Sequence, residues 1–273
     1  MRRENLGLQV DGKGDSWVRV LTAAVGLLAV IVLSLAGLQQ WRQLEINNRL
    51  VMAAENPSTS EAQMKLLLRR GANPNARKLY LPRLALNAVA AEEFFGWMSR
   101  ADRRNGLTPL CAAADWGRAD LVRVLLAAGA DPRVPCGEGF GSITPLMVWS
   151  QSWEAPSAGL ETARLLLDHG ADVNAPSANG LTPLMLAVGF HRAPAIRLLL
   201  SRGADPNAAD RRGRTALWHC ISNRKTDSVR ALLEYGANVN ARAADGLTPY
   251  GKALRSKTPK SILELLRRAG ATE

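Results

Sequence analysis

Hydrophobic residues between 179 and 208 fall into two short clusters with helical spacing, separated by polar residues. Leu184 and Val188 belong to the first cluster, and Ile196 and Leu199 belong to the second. Each cluster predicts a short amphipathic helix. So short a pair cannot bury its apolar faces alone, and the pattern therefore predicts neighbours built in the same way.

Turn and capping residues mark the ends of these two helices. Asn179-Gly180 is a strong turn dipeptide. Thr182 can cap the orphan amides of the first helix, and Pro183 fits the first helical position, where its missing amide proton has no partner. Gly203 follows the last leucine, where a left-handed helix stop is usually glycine.

The same start and stop signals recur along the chain. Thr-Pro-Leu or a close variant begins at Thr108, Thr144, Thr182, Thr215 and Thr248, at spacings of 36, 38, 33 and 33 residues. Gly-Ala-Asp/Asn begins at Gly71, Gly129, Gly170, Gly203 and Gly236, with a truncated copy at Gly270. A period near 33 residues predicts an all-α solenoid in which each helical pair packs against the next.

These motifs resemble the ankyrin-repeat family. They are GLTPLCAAA at 106–114, GLTPLMLAV at 180–188, and GADVNA, GADPNA and GANVNA at 170–175, 203–208 and 236–241. The match is strong over 105–272 and weak over 45–76. The resemblance implies an ankyrin-repeat solenoid of helix-turn-helix repeats with hairpin loops, and a function in binding other proteins.

The sequence divides into a membrane segment and a series of repeats. We expect a polar N-terminal segment at 1–16, a transmembrane helix at 17–41, a degenerate first repeat at 45–76, an irregular or degenerate repeat at 77–104, repeats at 105–136, 137–175 (with an insertion), 176–208 and 209–241, and a C-terminal capping repeat at 242–273. Residues 77–104 fit either a degenerate repeat that has lost its second helix or an insertion finger.

Residues 20–41 contain no charged side chain. About 20 helical residues match a bilayer core of roughly 30 Å, and Trp17 and Trp41 flank the segment as interfacial indoles do. We therefore expect a signal anchor in the inner membrane; the alternative is secretion after cleavage near Ala36. Four cations precede the segment and two follow it closely, which predicts a cytoplasmic N-terminus and a periplasmic repeat domain.

Charge and cysteine content narrow the choice of partners. The net charge of +11 favours acidic partners or anionic surfaces, with weak contact expected. No zinc-finger spacing, RNA-binding motif or aromatic-basic interleaving indicates nucleic-acid binding. Cys111 and Cys220 are interpreted as small buried packing residues. Cys136 lies in a turn and could pair or be oxidised if the domain is extracytoplasmic.

Motifs of catalysis are absent from the sequence. It contains no P-loop, GxGxxG, HExxH or fitting GxSxG motif. His169 falls at a helix end, a common surface position, and His191 and His219 lack the spacing of a metal site. We therefore predict no catalytic residue, no cofactor and no metal, and a protein that is not an enzyme.

Binding is then the predicted function, and the tips of the hairpins and the exposed ends of the first helices are its predicted surface. The candidate partner-binding residues are Phe140, Asn179, Arg212 and Asp245 on the tips, Trp116, Phe190 and Asn223 at the helix ends, and Trp153 in the inserted loop. By contrast, Trp149 aligns with a buried alanine position and is predicted to lie in the core.

The repeats also depart from the family pattern in the loop between their helices. The family's loop glycine is present as Gly117, whereas His191, Arg224 and Lys257 replace it. Such a replacement predicts a strained or altered turn, at a cost to stability of about 1 kcal/mol.

Four functional hypotheses remain open at this point. The first is a membrane-tethered bacterial module that binds a partner protein through its concave ankyrin surface. The second is an inhibitor or immunity-type protein directed at a secreted toxin or enzyme. The third is an enzyme, or an accessory factor that protects an enzyme in oxidative-stress defence, which the resemblance to bacterial ankyrin proteins suggests. The fourth is scaffolding at a membrane surface through the basic faces of the repeats.

Overall fold

The computed structural model describes residues 37–77, 107–137, 142–152, 159–189, 193–256 and 258–272. Two compact units are present, Met1–Glu45 and Ile46–Glu273. In the first unit, the described residues 37–45 are helical. The predicted polar segment and most of the predicted span at 17–41 lie outside the described residues. Within the described ranges, no helix has both the length and the apolar character needed to cross a bilayer.

The second unit is a series of paired helices. They are α1 (46–55), α2 (Glu61–Arg69), α3 (Pro109–Asp115), α4 (Ala119–Ala127), α5 (Pro145–Gln151), α6 (Gly159–Asp168), α7 (Pro183–Gly189), α8 (Ala193–Ser201), α9 (Ala216–Ser222), α10 (Thr226–Glu234), α11 (Pro249–Arg255) and α12 (Lys260–Arg268). Odd numbers denote the first helix of each pair. The described residues contain no strand, only an isolated bridge between Ala209 and Thr215, and the all-α prediction is confirmed.

Threonine caps open most of the first helices, as the sequence predicts. The hydroxyl oxygens of Thr108, Thr144, Thr182 and Thr248 accept a hydrogen bond from the amide three residues ahead, at 3.1–3.4 Å. Thr215 makes no such bond, and alanine, not proline, follows it. The start of α9 therefore lacks a cap that typically contributes about 1 kcal/mol.

Glycine ends the second helices. Gly203 has a φ of 87° and donates to the Leu200 carbonyl at 3.1 Å, while Ala204 donates to the Leu199 carbonyl at 3.0 Å. These two bonds satisfy carbonyls that the helix leaves without partners, and the left-handed backbone they require suits glycine. The glycines at the other predicted stops have the same left-handed backbone: Gly71, Gly129, Gly170, Gly236 and Gly270.

Two layers of helices form the solenoid. The first helices α3, α5, α7, α9 and α11 pack in sequence, as do the second helices α2, α4, α6, α8, α10 and α12. One continuous hydrophobic core runs between the layers, from Leu50 to Leu266. Trp149 is fully buried in this core, as predicted. The short helices are therefore stabilised by their neighbours, since no single pair encloses a core.

The first repeat packs directly on the repeat at 107–133. Helix α2 contacts α4, and the Asn75 amide donates to the Gly129 carbonyl at 3.0 Å. The Arg118 guanidinium donates to the carbonyls of Pro57 and Thr59 at 2.6 and 2.7 Å. These two repeats are therefore neighbours in the stack, although residues 78–106 separate them along the chain. The predicted irregular segment at 77–104 lies outside the described residues apart from position 77.

Candidate functional site

Hairpin tips and first helices together form one face of the second unit, which we call the first-helix face. Each described hairpin near the C-terminus is closed by a backbone bond: Ser177 to Leu181 at 2.9 Å, Asp210 to Arg214 at 3.0 Å and Ala243 to Leu247 at 3.0 Å. Closure fixes the path of each turn. The side chains at the tips consequently emerge from a defined backbone.

Neighbouring tips are also joined to one another. The Arg211 amide donates to the Asn179 carbonyl at 3.1 Å, and the Ala244 amide donates to the Arg212 carbonyl at 2.8 Å. Gly180 allows this approach, because a Cβ atom at that position would lie 2.9 Å from the Arg211 nitrogen. The three tips therefore form a continuous row whose backbone is fixed by hydrogen bonds.

Three predicted contact residues lie on this row. Asn179, Arg212 and Asp245 are exposed. The Asp245 carboxylate accepts a hydrogen bond from the Leu247 amide at 3.1 Å and so also supports its own turn. The structure thus presents these three side chains together on adjacent tips.

The predicted residues at the ends of the first helices differ in their environment. Trp116 ends α3 and is 38 % exposed. Asn223 is half-buried, and its amide donates to the carbonyls of Val188 and Gly189 at 3.3 and 3.4 Å. Asn223 therefore helps to join α9 to α7, while Trp116 offers an aromatic surface. Phe140, Trp153 and Phe190 lie outside the described residues.

An asparagine ladder links successive repeats below the helices. Asn207 donates from its amide nitrogen to the Gly236 carbonyl at 3.1 Å and accepts from the Asn238 amide at 2.7 Å. The same pair of bonds to the next repeat is made by Asn75, Asn174 and Asn240. The recurring GADxN motif is the sequence signal for this ladder, although its spacing alone indicates only a repeat.

The ladder is interrupted at one boundary. Arg133 stands where the other repeats have asparagine, and its guanidinium bonds to Asp131 of its own turn at 3.0 Å. At this boundary Cys111 of α3 forms a disulfide with Cys136, their Cα atoms 5.5 Å apart. Val148 of the next first helix packs against both cysteines. A covalent bond therefore lies at the boundary where the ladder bonds are missing.

The disulfide adds to the prediction for Cys111. This residue is buried, as predicted, but it is also bonded to Cys136, because the hairpin after α4 returns to α3 and places Cys136 beside it. Cys220, the other predicted packing residue, is buried and free. Burial raises the pKa of the Cys220 thiol to about 12, so at neutral pH it is a protonated, unreactive group.

A buried carboxylate organises the hairpin at 209–215. The Asp210 side chain is 1 % exposed and accepts hydrogen bonds from the Arg212 and Arg214 amides, at 2.8 and 2.9 Å, and from the Arg214 guanidinium at 2.8 Å. Burial pushes the Asp210 pKa upward, but these hydrogen bonds outweigh burial and hold the pKa below its usual value. Asp210 is therefore a structural anion that is fully paired within its own turn.

His219 contacts the same carboxylate. Its Nε2 lies 3.2 Å from Asp210, and burial, followed by the charge of Arg214, lowers the pKa of the imidazole. The neutral ring is thus favoured at pH 7. In the part of the chain that the structure describes, no cluster of histidine, cysteine or carboxylate side chains could hold a metal ion.

Arg224 replaces the loop glycine with a left-handed backbone. Its φ is 57°, close to the 63° of Gly117 at the equivalent position. The predicted strained turn is thus confirmed, at a cost of about 1 kcal/mol. The Arg224 guanidinium donates to the Ser256 carbonyl of the next repeat at 3.2 Å, which offsets part of this strain. His191 and Lys257 lie outside the described residues.

Comparison with known protein families assigns these features. Profiles described as ankyrin repeats match residues 195–272 (three copies) and 166–220 (many copies), and a single ankyrin repeat matches 105–136. No curated protein shows significant similarity to the chain. Ankyrin repeats generally mediate protein–protein interaction and are typically non-enzymatic. Together the matches cover about half of the chain and include most of the ladder asparagines, threonine caps and glycine stops. The chain belongs to the ankyrin-repeat family.

Proposed function

We propose that this protein is a membrane-tethered interaction module that binds a partner protein through its first-helix face. The observation behind the proposal is the row of joined tips, where the backbone is fixed and the side chains of Asn179 and Arg212 are exposed. A surface that is already ordered loses little conformational entropy when a partner binds. Recognition by such a surface requires no chemical turnover.

Trp116 extends this surface toward the N-terminal repeats. Its indole lies at the end of α3 and is 38 % exposed. Exposed tryptophan residues frequently supply a large share of interface energy. We therefore assign Trp116 to the contact surface, together with the tip residues.

We further propose that the repeats lie outside the cytoplasm. The Cys111–Cys136 disulfide supports this location, because disulfides persist in oxidising compartments and are rare in the cytosol. The charge-free segment at 20–41, with more cations before it than after it, supports a membrane anchor with a cytoplasmic N-terminus.

Site-specific photocrosslinking tests the binding surface. A photoreactive amino acid is placed at Asn179 or Asp245 on the tips. The exposed Arg164 and Arg230 on the second helices are the matched control positions. The full chain is studied in its native membrane. We expect a crosslinked partner protein from the two tip positions only. The same partner captured equally from both faces, or only from the second helices, would contradict the proposal.

A reporter fusion tests the location. A reporter enzyme that is active only outside the cytoplasm is joined after Glu273, and a reporter active only in the cytoplasm is joined there in a reciprocal fusion. We expect activity from the first fusion alone. Activity from the second alone would overturn the proposed orientation and leave the binding surface to be judged by the crosslinks.

A further inference from the structure

The first-helix face of the last two repeats carries six cations that make no ion pair within the described residues. We call them the cationic face: Arg211, Arg212, Arg224, Arg242, Lys252 and Arg255. Within the described residues, none of the six makes an ion pair with a carboxylate. The two carboxylates on the same elements are already engaged, since Asp210 is buried against Arg214 and Asp245 supports its turn.

Three arginines of the second-helix layer are paired with carboxylates. Arg197 pairs with Glu234 at 2.9 Å, and Arg202 pairs with Asp168 at 2.7 Å. Arg123 lies 3.3 Å from Glu161. Each of these pairs joins neighbouring repeats. In the last two repeats, the second helices carry three carboxylates beside four cations, whereas residues 209–224 and 242–256 carry two carboxylates beside seven cations. The excess of positive charge is therefore larger on the first-helix face.

Several members of the cationic face are fixed in position without losing their charge. Arg224 donates to the Ser256 carbonyl at 3.2 Å, and Arg242 donates to the Gly246 carbonyl at 2.9 Å. The Lys252 ammonium lies 5.6 Å from the centroid of the Trp218 ring. Carbonyls and an indole orient these side chains but do not neutralise them. These side chains are therefore oriented and still charged, so they can bind an anionic group of another molecule.

The cations form two rows at the two ends of the first helices. Arg211, Arg212 and Arg242 lie on the tips before α9 and α11, and Arg224 and Arg255 lie at or after the ends of these helices. Each helix has seven residues, so its two ends are roughly 10 Å apart. An extended segment can lie between the rows and contact both.

We propose that this cationic face docks an acidic, extended segment of the partner protein. Guanidinium groups bind carboxylates through paired hydrogen bonds, which suits a segment rich in aspartate and glutamate. A flat lipid surface fits less well, because the first-helix face of such a solenoid is concave and a plane reaches only its rim. This inference rests on the proposed function, since it names the chemistry of the partner on the same surface.

Peptide binding to the full chain tests the inference. The probe is a fluorescein-labelled peptide of alternating glutamate and serine, about twelve residues long so that its extended length spans two repeats. A glutamine-serine peptide is the matched control. Fluorescence anisotropy is measured in detergent at low and at physiological salt. We expect the glutamate peptide to bind, the glutamine peptide not to bind, and added salt to weaken binding.

Charge variants identify the surface involved. Arg212→Glu combined with Arg255→Glu is expected to weaken binding by at least about tenfold, and the glutamine versions of both by about threefold. Arg164→Glu combined with Arg230→Glu makes the same charge change on the second helices and is expected to remain within about twofold. Circular dichroism checks that each variant is folded. An equal loss from both faces, or no binding of the glutamate peptide, would overturn the inference.

Two further outcomes separate the alternatives. Binding to phosphatidylserine vesicles that depends on Arg212 and Arg255, without peptide binding, would show that the cationic face binds an anionic membrane surface and not an acidic segment. Tip crosslinks that persist while the peptide fails to bind would leave the proposed function intact and refute only the acidic partner. Absence of tip crosslinks together with specific peptide binding would refute the proposed function and leave the preference for acidic ligands intact.

Discussion

Successive repeats are joined in one way over residues 174–272 and in another way at the boundary after 107–133. Over 174–272, Asn174, Asn207 and Asn240 each make two hydrogen bonds to the next repeat. At the other boundary Arg133 replaces the asparagine, and the Cys111–Cys136 disulfide is present. Asn75 makes the same two bonds across the irregular segment. The comparison indicates that asparagine hydrogen bonds join successive repeats wherever the asparagine is present, and that the disulfide lies at the described boundary where arginine replaces it.

Removing the disulfide should have the largest effect. Cys111→Ala with Cys136→Ala is expected to lower the free energy of unfolding by about 3 kcal/mol, because the bond closes a loop with a sequence separation of 25. Urea unfolding followed by circular dichroism measures the loss. Reduced wild-type protein should match the double variant, and a midpoint unaffected by both treatments would show that the disulfide does not stabilise this boundary.

Breaking the ladder in the regular repeats should have the next largest effect. Asn207→Ala removes two hydrogen bonds and leaves the Gly236 carbonyl and the Asn238 amide without these partners, which should destabilise the fold by about 2 kcal/mol. Equilibrium urea unfolding is again the measurement. Asn179→Ala, at an exposed tip outside the ladder, is the control and should change stability little; a loss equal to that of Asn207→Ala would argue against the ladder.

Restoring the asparagine ladder at the boundary after 107–133 tests whether its missing hydrogen bonds affect stability. Arg133→Asn is expected to gain about 1 kcal/mol by adding bonds to the next repeat, at the expense of an exposed pair with Asp131 that contributes little. The gain should be largest in the background that lacks the disulfide. Thermal unfolding of the four combinations tests this, and a loss of stability would mean that the two repeats are not in register there.

Exchanging glycine and arginine in the loop between the two helices compares the repeat at 107–133 with the repeat at 209–241. Arg224→Gly should stabilise the fold by about 1 kcal/mol, minus the contribution of the Ser256 contact, and Gly117→Arg should destabilise it by about the same amount. Chemical unfolding of both variants measures the effects. If Arg224→Gly also weakens binding of the glutamate peptide, the positive charge of Arg224 contributes to binding. That contribution would explain why a strained residue stands at this position.

Acid should destabilise the hairpin at 209–215, with a small effect. The folded pKa of His219 is lowered, so its stabilising contribution is complete above the unfolded value of about 6.5 and is lost as the pH falls below it. Asp210, whose pKa is also lowered, adds a second loss at more acidic pH. Unfolding midpoints between pH 7.5 and 5 should fall less in His219→Gln than in the wild type; parallel curves would refute this assignment.

Much of the fold could be predicted from local patterns. Thr182 and Pro183 indicated a helix start and Gly203 indicated a stop, because capping depends on a few adjacent residues. The burial of Trp149 followed from its alignment with other repeats, since equivalent positions occupy equivalent environments. The exposure of Asn179, Arg212 and Asp245 followed from the same register.

Other features depended on contacts between distant segments. The spacing of Cys111 and Cys136 does not indicate pairing, and they meet only because the hairpin folds back on α3. The half-buried position of Asn223 arises from the carbonyls of the preceding repeat. Sequence alone could not separate paired from unpaired arginines, because both kinds follow the same polar pattern along the chain.

The sequence by itself determined the repeat, its helix boundaries and its family, because each of these is encoded within some 33 residues and is then repeated. Only the tertiary structure decided which repeats are neighbours, where a covalent bond replaces the asparagine ladder and which cations lack a carboxylate. The physical reason is that these properties depend on distances between side chains in different repeats, and stacking alone sets those distances.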